Sequence, residues 1–66
     1  MNIILNGKPA EIPDPLTARQ LITHLGLGDK RLAMEVNLEI IPRSEYEQTP
    51  IQENDRVEIV QAIGGG

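Results

Sequence analysis

Polar and apolar residues alternate loosely over the first positions, and Met1, Ile3 and Leu5 fall on one side of an extended segment, Met1–Leu5. Asn6-Gly7 follows. This pair is the strongest short signal for a two-residue hairpin turn, because both residues tolerate the left-handed backbone such turns require. Lys8 to Ile12 then reads as the returning strand. Pro9 has no N–H to give to a ladder, which assigns that strand to an edge or lengthens the loop before it. Pro13-Asp14-Pro15 ends the segment.

The period then changes. Ala18, Leu21, Ile22 and Leu25 recur at the spacing of one helical stripe. Thr17 is an N-cap residue, Gln20 completes a capping box three positions later, and Leu16 and Leu21 stand where a hydrophobic staple forms. Gly26 suits the position just past a helix end, so the spacing predicts a helix over Ala18–Leu25. Leu27 to Lys30 reads as loop.

Alternation returns at Leu32–Val36, with Leu32, Met34 and Val36 on one side and Ala33 and Glu35 on the other. Asn37 marks a turn, Glu39-Ile40-Ile41 a short strand stopped by Pro42, and Arg43–Gln48 a single helical turn. Gln52-Glu53-Asn54-Asp55 is a polar turn before a last strand, Arg56–Gln61, where Val57 and Ile59 face one way and Glu58 and Val60 the other. A hairpin, a helix and further strands make a two-layer α+β domain. One helix covers one face of a sheet, which leaves the opposite face to solvent or to a partner. Val60 is predicted on that open face.

With 66 residues the chain is one domain. A domain of this size buries only about 60% of its unfolded surface, so its core is marginal. Cysteine is absent, which removes disulfides, Cys-based zinc sites and thiol nucleophiles. The segment Met1 to Asn6 lacks the basic region of a secretory signal. No apolar run approaches the roughly 18 residues of a membrane span, and the cytoplasm is the default compartment. The net charge of −4 disfavours nucleic acid and anionic lipid and suits a basic protein partner or plain solubility. Lys8, Arg19, Lys30, Arg31, Arg43 and Arg56 are scattered along the chain without forming a stripe.

Side-chain chemistry is thin. His24 is the only histidine and Ser44 the only serine. Without a second histidine or any cysteine His24 makes no transition-metal site, and Ser44 has no nucleophile-elbow context. Asp14, Glu35, Glu45, Glu53, Asp55 and Glu58 show no pairing pattern and read as solvated surface. Gly26-Leu27-Gly28 follows a helix, whereas a phosphate cradle must open one.

What remains is Gly64-Gly65-Gly66, directly after the apolar strand. Glycines make a thin, supple tail. Extended, Ala62 to Gly66 reaches about 17 Å, at roughly 3.3–3.6 Å per residue, enough to cross a partner's wall. A carboxylate resists nucleophiles until one oxygen becomes a leaving group. Adenylation by a partner would supply one, after which sulfur or an amine could attack. The alternative is an inert frayed terminus or a remnant of cloning.

The ordered set Asn37-Leu38-Glu39-Ile40-Ile41-Pro42-Arg43, Asn54-Asp55-Arg56-Val57-Glu58-Ile59-Val60 and Gly64-Gly65-Gly66, with Asn6-Gly7 near the start, resembles the ThiS family of sulfur carrier proteins of thiazole synthesis. The resemblance covers the whole chain. It implies a ubiquitin-like β-grasp fold, a mixed β-sheet with one main helix across one face, over residues 1–61, and a flexible glycine-rich tail over 62–66. It implies that a ThiF-type activating enzyme uses ATP to adenylate the Gly66 carboxylate, which becomes a thiocarboxylate and passes sulfur to thiazole synthase (ThiG) in thiamin biosynthesis. A cysteine desulfurase system is the implied source of sulfur.

On this reading the chain is a protein substrate, not an enzyme, with no bound cofactor or metal, and is a monomer when free. Gly64 and Gly65 deliver the terminus, and Val60, Ile63 and Ile41 are the expected docking residues. The absence of cysteine acquires a meaning, since a thiocarboxylate carries sulfur on the backbone terminus. Rival readings are the small subunit of a molybdopterin synthase, a ubiquitin-like modifier conjugated to lysines, and a β-grasp interaction module with an inert tail.

Overall fold

Strands β1 (Asn2–Leu5) and β2 (Lys8–Glu11) form the predicted hairpin, with Ile3 opposite Ala10 and Leu5 opposite Lys8. At its turn Asn6 has φ 50° and Gly7 φ 83°, the paired left-handed conformations of a tight hairpin. These features come from a computed structural model that describes residues 1–28 and 30–61. β2 lies at a sheet edge, so the missing N–H of Pro9 breaks no interior rung.

Helix α1 (Ala18–His24) begins at the predicted cap. The N–H of Gln20 donates to Thr17 Oγ1 at 3.2 Å, and the Thr17 N–H donates to Gln20 Oε1 at 2.9 Å. Leu25 caps the other end and Gly26 follows at φ 74°. A helix this short does not hold by itself in water. Burial of Ala18, Leu21 and Ile22 holds it here. The staple residue Leu16 packs against the same core as Leu21.

Strands β4 (Leu32–Val36), β5 (Glu39–Ile41) and β7 (Arg56–Gln61) complete a five-stranded sheet in the order β2-β1-β7-β4-β5. β1 and β7 run parallel, and every other neighbouring pair is antiparallel. The sheet is therefore mixed. Ile3, Met34, Val57 and Ile59 are buried from the sheet, and with Leu21 and Ile22 of α1 they form one core. The expected alternation in β7 holds from Val57 to Val60, and Gln61 after it is also exposed.

Two features exceed the sequence expectation. The predicted single turn is a six-residue 3-10 helix, Arg43–Gln48, pinned by the buried side chain of Tyr46. Two further strands, β3 (Leu16–Thr17) and β6 (Pro50–Ile51), pair antiparallel as a separate small sheet. Beside them the N–H of Ala18 donates to the Thr49 carbonyl at 2.7 Å. That bond satisfies one of the amides a helix start leaves free.

Asp55 departs from the solvated-carboxylate expectation. It is 7% exposed. Its Oδ1 accepts from Asn37 Nδ2 at 3.0 Å and its Oδ2 from the Gln52 N–H at 2.8 Å. The side chain folds back over its own turn, as short acidic side chains do. Asn37 is held further, because its Oδ1 accepts from the Arg56 N–H at 2.9 Å and its own N–H donates to the Arg56 carbonyl at 2.7 Å. These bonds tie the β4–β5 turn to the start of β7.

Replacing Asp55 by Ala strips the carboxylate from two donors. It should lower stability by about 2 kcal/mol, seen as a lower urea midpoint with an unchanged slope. The neighbouring turn predicts the opposite sign. Leu38 has φ 70° and is 80% exposed. A left-handed backbone costs a residue with a Cβ roughly 1–2 kcal/mol, so Leu38→Gly should raise the urea midpoint by about 1 kcal/mol equivalent.

Candidate functional site

Strand β7 precedes the glycine tail in sequence and is anchored on both sides, on the β1 side as far as Ile59 and by β4 as far as Gln61. On the β1 side, the Asn6 N–H donates to the Val57 carbonyl at 2.9 Å and the Ile59 N–H donates to Asn6 Oδ1 at 2.8 Å. The asparagine side chain thus supplies a rung beyond the end of β1. On the other side β4 stays in register through Val60 opposite Ala33 and Gln61 opposite Leu32. β7 is therefore held in register as far as Gln61, the last residue before the tail. Ile63, Gly64, Gly65 and Gly66, expected to dock or deliver, lie outside the described residues.

Helix α1 covers one sheet face. Cross-strand partners share a face, which assigns the other residues. Val60 is 64% exposed on the open face. Ile40, 70% exposed, is opposite Glu35 on that same face. Ile41 is opposite the buried Met34; it is half-buried and packs against the core on the covered face. Of the expected docking residues, Val60 is therefore on the open face and Ile41 is not. A shift of one residue in a strand exchanges the two faces, and the register with Met34 decides it.

Glu35 also lies opposite Glu58, so two carboxylates meet across adjacent strands between Ile40 and Val60. Like charges directly opposite destabilise a sheet.

The basic residues are not scattered in space. Arg31 and Arg43, with Leu32, Ala33, Val60 and Gln61, line an open groove of about 340 Å³ at the tail root. A narrow cleft of about 10 Å³, next to it, is lined by Arg19, Lys30 and Arg43 together with Ile22, Gly28, Leu32 and Tyr46. Leu32 and Arg43 belong to both. Four of the chain's six Lys and Arg residues thus gather at one end of the domain. They come from α1, the loop before β4 and the 3-10 helix, so no run of sequence signals them.

His24 and Ser44 are both exposed. Among the described residues no group of three His, Cys, Asp or Glu is placed to hold a metal ion, and no helix is long and apolar enough to cross a membrane. The arrangement offers contact surfaces around a tail.

Comparison with known proteins points one way. A family model described as the ThiS family matches residues 3–66. A thiazole synthase of Paramagnetospirillum magneticum is 38% identical over 66 residues, which cover 100% of this chain and 20% of the synthase. The chain thus spans about a fifth of that relative's length. The sulfur carrier protein ThiS of Bacillus subtilis is 35% identical over 63 residues, covering 94% of this chain and 96% of the relative. The crystal structure of a thiamine biosynthesis protein (ThiS) from Geobacter metallireducens aligns over 100% of both chains with a TM-score of 0.86 and 29% identity.

The open-face pair yields a test. Glu58→Lys exchanges a repulsive cross-strand pair for an attractive one. It should stabilise the domain by about 0.5 kcal/mol at low salt. The gain in urea midpoint should shrink as salt screens the pair.

Proposed function

The chain belongs to the ThiS family, and from that premise we propose that it is a sulfur carrier of thiamine biosynthesis, loaded at the carboxylate of Gly66. The observation that carries the reading is the family match itself, which runs through Gly64 and Gly65 to Gly66 and so includes the tail. The full-length likeness to a ThiS structure supports it. The anchored end of β7 supports it too, because a terminus that must enter another protein's site benefits from a fixed point of departure.

The chemistry follows from what a carboxylate lacks. One carboxylate oxygen of Gly66 attacks the α-phosphorus of ATP in a ThiF-type activating enzyme, pyrophosphate leaves, and an acyl adenylate forms. The outer sulfur of a persulfide, supplied by a cysteine desulfurase system, attacks the carbonyl carbon and expels AMP, and a thiol reductant then cleaves the S–S bond of the resulting acyl disulfide. The product is a C-terminal thiocarboxylate. Its sulfur passes to thiazole synthase, a partner supported by the synthase relative that carries a stretch similar to this entire chain. The chain acts in the cytoplasm as a monomeric substrate of these enzymes. ATP belongs to the activating partner. Residues 62–66 form the delivery tail, and Val60 with Ile63 make first contact.

Because the chain has no cysteine, a thiol-alkylating reagent has no side chain to modify and reports the thiocarboxylate alone. Incubation with ATP, a sulfur donor and the activating enzyme should give an intact mass in which sulfur replaces one oxygen. The product should then take up one equivalent of alkylating reagent. Deletion of Gly66 should abolish both signals. An unchanged mass with an enzyme that loads another carrier overturns the proposal, and attachment to lysine side chains reassigns the chain to the protein modifiers.

A further inference from the structure

We propose that the basic groove at the tail root is a docking site for an acidic rim on thiazole synthase, around the opening that receives the tail. This inference rests on the carrier reading above. Val60 and Gln61 line the groove and belong to the strand that continues into the tail. A protein that draws the tail inside itself must bring the mouth of that opening against the same residues. Whatever surrounds the mouth then meets Arg31 and Arg43.

Charge selects the chemistry of that rim. The chain carries a net charge of −4, yet Arg19, Lys30, Arg31 and Arg43 gather here and leave only Lys8 and Arg56 for the rest of the domain. No carboxylate stands among the described residues that line either hollow. Guanidinium groups pair with carboxylates through two parallel hydrogen bonds, which fixes orientation as well as attraction. Leu32, Ala33 and Val60 add apolar lining to the groove beside the two arginines. The groove therefore fits a short protein segment bearing Asp or Glu with an apolar neighbour. A positive end on an acidic domain also turns the molecule tail-first as it approaches an acidic rim.

Thiazole synthase from the source organism is titrated with the full chain, with R31E/R43E, with R31K/R43K and with K8E as a distant control, each at low and high salt. Equal melting temperatures establish that the variants are folded. Wild-type affinity should fall as salt rises. R31E/R43E should weaken binding at low salt by about tenfold, mainly through the association rate, and should flatten the salt dependence. R31K/R43K should keep the salt dependence but recover only part of the affinity, because lysine lacks the paired donors of a guanidinium, and K8E should stay within roughly twofold of wild type.

Wild-type chain that does not bind the synthase at all overturns the carrier reading, and the groove's role with it. Normal wild-type binding that R31E/R43E leaves unchanged overturns the groove alone. Tighter binding by R31E/R43E, as expected if the groove held the chain's own terminus, also overturns it. So does a loss confined to a parallel titration with the activating enzyme.

Discussion

Strands β1 and β7 lie side by side and parallel near the centre of the sheet, with Ile4 opposite Arg56, although nearly the whole chain separates them. Parallel strands need a crossover and buried flanks, and this pair obtains cover on one side only, from the short helix α1. Ile3, Val57 and Ile59 supply the apolar side of that contact. Polar side chains complete what the backbone leaves open. Asn6 extends the ladder to Ile59, while Asp55 and Asn37 close the turn at the other end of β7. The pairing fixes more than stability. A strand held by neighbours on both edges delivers the segment after it from a defined point, which an edge strand does not do as well.

A single helix also determines what the opposite sheet face becomes. Residues under α1 had to be apolar, and Ile3, Met34, Val57 and Ile59 are, while polar Lys8, Glu39 and Gln61 fall on that face only at strand ends. Residues facing away answer to a different constraint, and there the chain mixes Val60, Ile40 and Ala33 with Glu35, Glu58 and Arg56. Folding alone would not favour carboxylates directly across from each other, nor Ile40 and Val60 left more than half exposed. Leu38, in a strained backbone conformation and almost wholly exposed, belongs with them. These departures share one surface or its margin, where contact with other molecules is the common explanation.

Local chemistry made most of the fold legible. Asn6-Gly7 announced its hairpin because two left-handed residues are needed there and few pairs supply them. Thr17 and Gln20 announced the helix start because capping acts over three residues. What stayed hidden was non-local. β3 and β6 have two residues each, too few for any period, and exist because Leu16 meets Ile51. Asp55 looked like ordinary surface because its partner Asn37 is far away in sequence. The face of Ile41 depended on its register with Met34, and alternation within β5 alone gave no anchor for that choice. The basic end was the largest omission, since its four cations lie on three segments that only the folded chain brings together.

That omission changes what net charge means here. An overall −4 describes how the domain repels a distant polyanion, but at contact range the molecule presents surfaces of opposite sign. The open face offers Glu35 and Glu58, and the tail root offers Arg31 and Arg43. Val60 belongs to both, exposed on the open face and lining the groove, so the two surfaces adjoin. At physiological salt, fields from exposed charges fade within about 8 Å, so each surface acts on what lies against it more than on the partner as a whole. A partner matched to only one of them would meet repulsion at the other when the domain is turned the wrong way. Adjoining surfaces of opposite sign therefore define a rotation about the tail as well as an affinity. On the proposed carrier function, that rotation decides how the domain presents its tail to a partner.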